Sequence, residues 1–209
     1  MNRTLLSLLA ALLALTSCQK AQEASKAYDA VVASGKAAEN MKNNLEASQA
    51  RQDERRQHGD TLAISYQELQ KYLPAAPTGY TADGPPQGEK TDVDGMHVST
   101  ASQQYRNGDK SLRVTLVDYA GAGALFTAAT ALMGGGLKIE DDNQYVRSFD
   151  PSQAEVKGLE TFEKKSHKAT IILGVADRFL ATVEATGQND AELAKSVAKT
   201  WPLGELAKR

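Results

Sequence analysis

Several groups of residues have types and spacings that could do chemistry. Asp92, Asp94 and His97 fall within six residues of a glycine-containing loop, and Glu140, Asp141 and Asp142 stand together further on. Loop carboxylates can ligate calcium, yet a calcium loop needs further ligands at fixed spacing and a bidentate Glu, which neither cluster supplies. Solvated turns are the expectation at both. Gly121-Ala122-Gly123-Ala124 follows a predicted strand and precedes a predicted helix, where a glycine-rich loop could cradle phosphate. It lacks the third glycine of a dinucleotide fingerprint and the Gly-Lys-Ser/Thr ending of a nucleotide loop, so it reads as a strand-to-helix turn. His58 and His167 lie in charged runs and are expected to be exposed. No His pair has the spacing of a helical zinc site, and no Gly-x-Ser-x-Gly elbow occurs. No catalytic residue, metal site or cofactor is therefore assigned, although separated residues converging on a pocket would escape such a reading.

The remaining nucleophile is Cys18, the single cysteine of 209 residues. Arg3 supplies one positive charge at the start, Leu5 to Leu15 form an apolar run of eleven residues, and the small residues Thr16 and Ser17 follow. This is the layout of a secretory signal. The run is too short for a transmembrane helix, which needs about 20 apolar residues. Leu15-Thr16-Ser17-Cys18 resembles the lipobox of bacterial lipoproteins. That resemblance implies a diacylglycerol thioether on Cys18, cleavage just before it, and acylation of the new amine. One acyl chain anchors only marginally, whereas two or more hold durably. The alternative is an ordinary secretory signal with an incidental thiol.

On the lipoprotein reading, residues 1–17 are a signal peptide, 18–60 a lipid-anchored helical spacer and 61–209 an α+β domain. The implied partners are a membrane, through the lipid anchor, and an envelope protein. Gln19 stands where an Asp favours inner-membrane retention in Gram-negative lipoproteins, so the outer membrane is favoured in such a cell. With Cys18 modified, no thiol is left for a disulfide, and stability must come from packing.

Composition narrows the classes further. Twenty-four basic and 26 acidic residues give a net charge of −2, which becomes −3 once Arg3 leaves with the signal. Such a balance offers no electrostatic footprint for nucleic acid and no polybasic membrane surface. Aromatic residues make up 6%, too few for a broad stacking platform, while 41% hydrophobic residues suffice for one core.

The elements that must position any site follow from periodicity. Gln22 to Gln57 has no proline and is rich in Ala, Glu, Lys, Gln and Arg, a helix-forming composition. Ala24, Ala27, Val31, Ser34, Ala38, Met41, Leu45 and Ser48 would share one stripe, too thin for a strong coiled coil. A solvated helix with a shallow contact, or a frayed linker, is the expectation. Ser65-Tyr66-Gln67-Glu68 matches a capping box, with Ile64 and Leu69 placed as a hydrophobic staple and Pro74 as a stop.

Residues 74–97 read as an extended or turn-filled crossing. From Val98 the period becomes two, through Asn107-Gly108 as a hairpin turn, with Leu112, Val114 and Leu116 on a buried side. A helix is expected from Ala122 to Met133 inside an uncharged stretch from Tyr119 to Leu137, stopped by Gly134-Gly135-Gly136. That stretch reads as a buried helix packed through small residues, with membrane insertion the alternative. Three or four strands follow, the last two joined tightly around Ala176-Asp177. A final helix starts near Asn189 and Glu192, carries Leu193, Val197 and Trp201 on one face, and ends at Pro202.

The expected fold is α+β, an antiparallel sheet with helices packed on one face, preceded by a long N-terminal helix. The expected function is a lipid-anchored envelope module for binding or interaction. An envelope enzyme of hydrolase type, with a site assembled from separated residues, is the alternative, and a stress- or toxin-neutralising inhibitor is a third possibility.

Overall fold

The computed structural model describes residues 35–93, 96–120, 122–133 and 136–208. Cys18, the signal segment and residues 22–34 of the expected spacer lie outside them. Nine strands form one sheet: β1 (Thr81–Ala82), β2 (Gln87–Val93), β3 (Met96–Asn107), β4 (Lys110–Asp118), β5 (Lys138–Glu140), β6 (Gln144–Phe149), β7 (Val156–Glu163), β8 (Lys168–Val175) and β9 (Phe179–Thr186). The order is β1-β3-β4-β9-β8-β7-β6-β5, with β2 also on β3, and every pairing is antiparallel. Among the described residues five helices accompany it: α1 (Gly35–Gln57), α2 (Tyr66–Gln70), α3 (Gly123–Thr130), α4 (Glu192–Thr200) and α5 (Leu203–Leu206). The α+β expectation holds.

Alternation builds the core row by row, because cross-strand partners share a face. Leu112, Ala185, Ala169 and Phe162 form one row; Val114, Val183 and Ile171 the next; Leu116, Ala181 and Leu173 a third. All of these are buried. The alanines leave depth over β8 and β9, where α4 packs and where Trp201, Leu203 and Leu206 are fully buried. Trp201 donates its indole N–H to the Tyr72 carbonyl at 2.6 Å, so its one polar atom is satisfied.

Several helix and turn signals resolve as local chemistry. Ser65 caps α2, its hydroxyl accepting from the Glu68 N–H at 3.2 Å, and Leu69 is fully buried beside the half-buried Ile64. Gly108 turns the β3–β4 hairpin at φ 56°, the positive value required at the first central position of a type II′ turn. The final helix starts differently from the expectation. Asp190, not Asn189, accepts from the Glu192 N–H at 2.9 Å.

Three expectations are corrected. Residues 74–97 contain strands β1 and β2, with β2 running along β3 from Gln87↔Ser102 to Val93↔Met96. Its polar sequence, QGEKTDV, hides the strand because an edge strand with a wet surface shows no apolar period, and charges there deter further pairing. Nor do the helices share one face. Val117 pairs with Leu180, and Leu180 with Gly174, on the side opposite the main core. Phe126 of α3, Tyr119 and Ala122 pack over Val117 and Leu180 there. A side chain at Gly174 would meet Thr130, Phe126 and Met133 at 3.1–3.4 Å, so the glycine lets α3 lie close. Helix α3 is nevertheless not the buried helix expected: of its eight residues only Phe126 is buried, while Ala124, Leu125, Ala128 and Ala129 are exposed. Among the described residues no helix is long and apolar enough to cross a membrane.

Candidate binding cleft beside the β8–β9 turn

The β8–β9 turn places two residues that are not glycine, Ala176 and Asp177, at φ 50° and 52°. The Arg178 N–H closes it onto the Val175 carbonyl at 3.1 Å. Left-handed backbone costs an L-residue roughly 1–2 kcal/mol, so surrounding groups must hold it. They come from α1. The Arg55 guanidinium donates to the carbonyls of Ala176 at 2.9 Å and Asp177 at 2.6 Å, and Arg51 pairs with the Asp177 carboxylate. The Ala176 N–H reaches the Glu155 carbonyl at 3.0 Å. Burial lowers the pKa of Arg55, with repulsion from Arg178 acting the same way.

Arg178 itself turns inward. Its Nε and Nη2 donate to the two oxygens of Asp118, each at 2.9 Å, and Nη1 bridges both oxygens of Asp60 at 3.0 Å. Asp118 is fully buried and also accepts the backbone N–H of Ile64 at 2.8 Å and of Ala120 at 2.9 Å. Burial opposes the charge on Arg178, but the hydrogen bonds and charge of Asp118, aided by Asp60, outweigh it and raise its pKa. A buried pair is sound only when both ends are satisfied in this way. The pair ties the end of the expected spacer to the sheet.

Among the described side chains the inward side of α1 is mainly polar. Asn44, Ser48, Arg51, Gln52 and Arg55, spaced as one helical face, are buried or half-buried, while Leu45 is 38% exposed. Of the stripe expected from apolar periodicity, Ser48 lies buried on this docking face and Leu45 borders the cleft beside it. Gln52 donates to the Thr127 hydroxyl at 3.0 Å, and a Cβ at Gly123 would fall on its side-chain amide, so Gly123 permits this approach. The Asn44 side-chain oxygen accepts from Lys157 at 2.9 Å.

Polar docking leaves space on both sides of α1. One cleft, of about 430 Å³, runs between α1 and α3. Phe126, Met133, Val156 and Leu45 supply its apolar surface, and Ser48, Thr127 and Thr130 its polar points, with Arg51, Asp177, Glu155 and Lys157 the charges. The other, of about 660 Å³, is bordered by Gln52, Arg55, Arg56, Tyr119 and His97. Burial pushes the Tyr119 hydroxyl above its ordinary pKa. His97 Nδ1 faces Asp92 Oδ1 at 2.6 Å across the β2–β3 ladder, and Asp92 also pairs with Lys90 at 2.9 Å.

The other carboxylates and histidines singled out in the sequence scatter. Asp141 caps a turn, accepting from the N–H groups of Asn143 at 2.7 Å and Gln144 at 2.8 Å. Glu140 pairs with Lys164 at 3.1 Å. His58 is exposed, and His167 Nδ1 faces the Gln188 carbonyl at 3.0 Å. No cluster of His, Cys, Asp and Glu fit to hold a metal occurs among the described residues.

Two buried charged clusters escaped sequence reasoning. Asp118 continues the buried phase of Leu112, Val114 and Leu116, and a carboxylate in that phase demands a partner, which was the available signal. Glu160 has the same signature. It stands in the row of Val183 and Ile171, is 2% exposed, and accepts from Tyr145 at 2.9 Å and from Arg147 at 2.8 and 2.9 Å. Burial acts against its charge, but these donors hold its pKa below the ordinary value, while burial and Glu160 push Tyr145 up to about 12.

No family model matches the chain, and no curated protein matches it. Among solved structures it is similar to an uncharacterized protein from Mycobacterium smegmatis (Rv0999 ortholog), at 9% identity and a TM-score of 0.37, over 66% of this chain and 94% of that one.

Proposed function

We propose that the chain is a lipid-anchored cell-envelope protein whose α+β domain is a binding module rather than an enzyme. The observation that carries this reading is Leu15-Thr16-Ser17-Cys18 directly behind the apolar run Leu5 to Leu15. In it, residues 22–34 continue α1 as a spacer towards the bilayer. The docked α1 supports the reading, since its 23 residues span about 34 Å and it is bonded to the domain from Asn44 onward. The cleft beside α1 supports it as well, since its apolar surface at Phe126, Met133 and Val156 is bordered by polar and charged groups that could orient a ligand. Mass spectrometry of the protein from a bacterial envelope should find a mature start at Cys18 carrying a diacylglycerol thioether. Cys18→Ser should move the protein out of the membrane fraction. An unmodified amino terminus overturns the reading.

One observation favours the second reading, a hydrolase-like envelope enzyme. The Asp92 carboxylate orients the His97 ring at the edge of the larger cavity, as a general base is oriented. A hydrolytic activity abolished by His97→Ala and reduced by Asp92→Asn would establish it.

A further inference from the structure

The cleft between α1 and α3 has a lining that specifies a ligand class. Its surface is apolar at Phe126, Met133 and Val156, and its volume of about 430 Å³ lies in the range of small-molecule sites. Its charges are unequally committed. Arg51 and Asp177 neutralise each other across the mouth. Among the described residues Lys157 is bonded only to the neutral side-chain oxygen of Asn44, and the Glu155 carboxylate has no hydrogen bond or ion pair. Among the described residues the cleft therefore offers an apolar floor, one cation without a counter-ion and one anion without a counter-ion.

We propose that this cleft binds a single-chain zwitterionic amphiphile, such as a lysophospholipid, with its acyl chain over Phe126 and Met133, its phosphate at Lys157 and its ammonium at Glu155. An anionic amphiphile would satisfy Lys157 but face Glu155 with like charge, and a cationic one the reverse. Only a head carrying both signs meets both groups. The inference rests on the binding-module reading for its biological role and on the cleft alone for its chemistry.

The test uses the full chain carrying Cys18→Ser, so that its outcome does not depend on whether Cys18 is acylated. Titration calorimetry with lysophosphatidylethanolamines of increasing chain length, kept below micelle formation, should show binding. Affinity should rise by up to about fourfold per methylene until the cleft is full, and then level off. Dodecyl phosphate and dodecylammonium should each bind about tenfold more weakly than the zwitterion of equal chain length. Lys157→Gln and Glu155→Gln, both exposed and expected to fold, should each remove most of that preference. Ala131→Trp should abolish binding by filling the space, with circular dichroism and Tm reporting that the fold persists. No binding by any amphiphile overturns the proposal. So does binding that ignores head-group charge, or that survives Ala131→Trp in a folded variant.

Discussion

Helices α4 and α1 lie on opposite sides of the same sheet and hold to the protein by opposite means. On α4 the inward residues are Ala194, Val197 and Ala198, followed by Trp201, all buried against β8 and β9. On α1 they are Asn44, Ser48, Arg51, Gln52 and Arg55, and unfilled space remains on both flanks. Apolar contacts draw strength from all the area removed from water and tolerate salt. Polar contacts exchange water partners for protein partners at small net gain, and exposed ion pairs weaken as salt rises. The difference predicts that α1 opens more readily than α4, which is part of the core.

That contrast can be broken at its strong side first. Trp201→Ala removes a fully buried indole and its bond to Tyr72, and should cost about 3–5 kcal/mol in denaturant unfolding. Asp118→Ala should cost a similar amount, about 3–5 kcal/mol, because it leaves the buried Arg178 with Asp60 as its one carboxylate partner and strips the Ile64 and Ala120 N–H groups of their acceptor. An apolar double replacement, Asp118→Leu with Arg178→Met, should recover most of that loss. If it recovers none, the pair contributes more than mutual compensation.

Acid should act next. The folded-state pKa of Glu160 is lowered, so its contribution is complete above the ordinary value of 4.5 and is lost as the pH falls through the lower folded value. A Glu160→Gln variant should show a flatter loss of Tm below pH 4.5 than the parent. The weak side of the comparison should respond least in global stability and most in local opening. Arg51→Ala should change unfolding free energy by no more than about 1 kcal/mol, since its side chain is 42% exposed. Hydrogen exchange along α1 should nevertheless accelerate, and high salt should do the same in the parent protein. If α1 stays as protected as α4 in high salt, the two modes of docking do not differ in kind. Smallest of all, Leu62→Ser, at a side chain 66% exposed, should fall within about 0.5 kcal/mol of the parent.

How far the site was legible in the sequence depended on range. The alternation from Leu112 to Leu116 announced a buried strand face, and Ala176-Asp177 announced a tight join between β8 and β9. The arginines that grip that join sit in RQDERRQHGD, which reads as a charged linker end because their partners are more than 100 residues away. Strand β2 was missed for the complementary reason, since a polar edge strand leaves no pattern to detect.

By itself the sequence determined what depends on neighbours along the chain: most strands, the Ser65 cap, the glycine in the β3–β4 turn and the helix ended by Pro202. These are settled within a few residues by backbone sterics and side-chain period. Tertiary structure alone decided that β4 lies beside β9, that α3 crosses to the far face, that Asp118 meets Arg178, and that α1 docks through polar groups. Periodicity states which residues share a surface; which other surface they meet is chosen by the energy of the assembled whole, where apolar area and buried charge are matched across the chain.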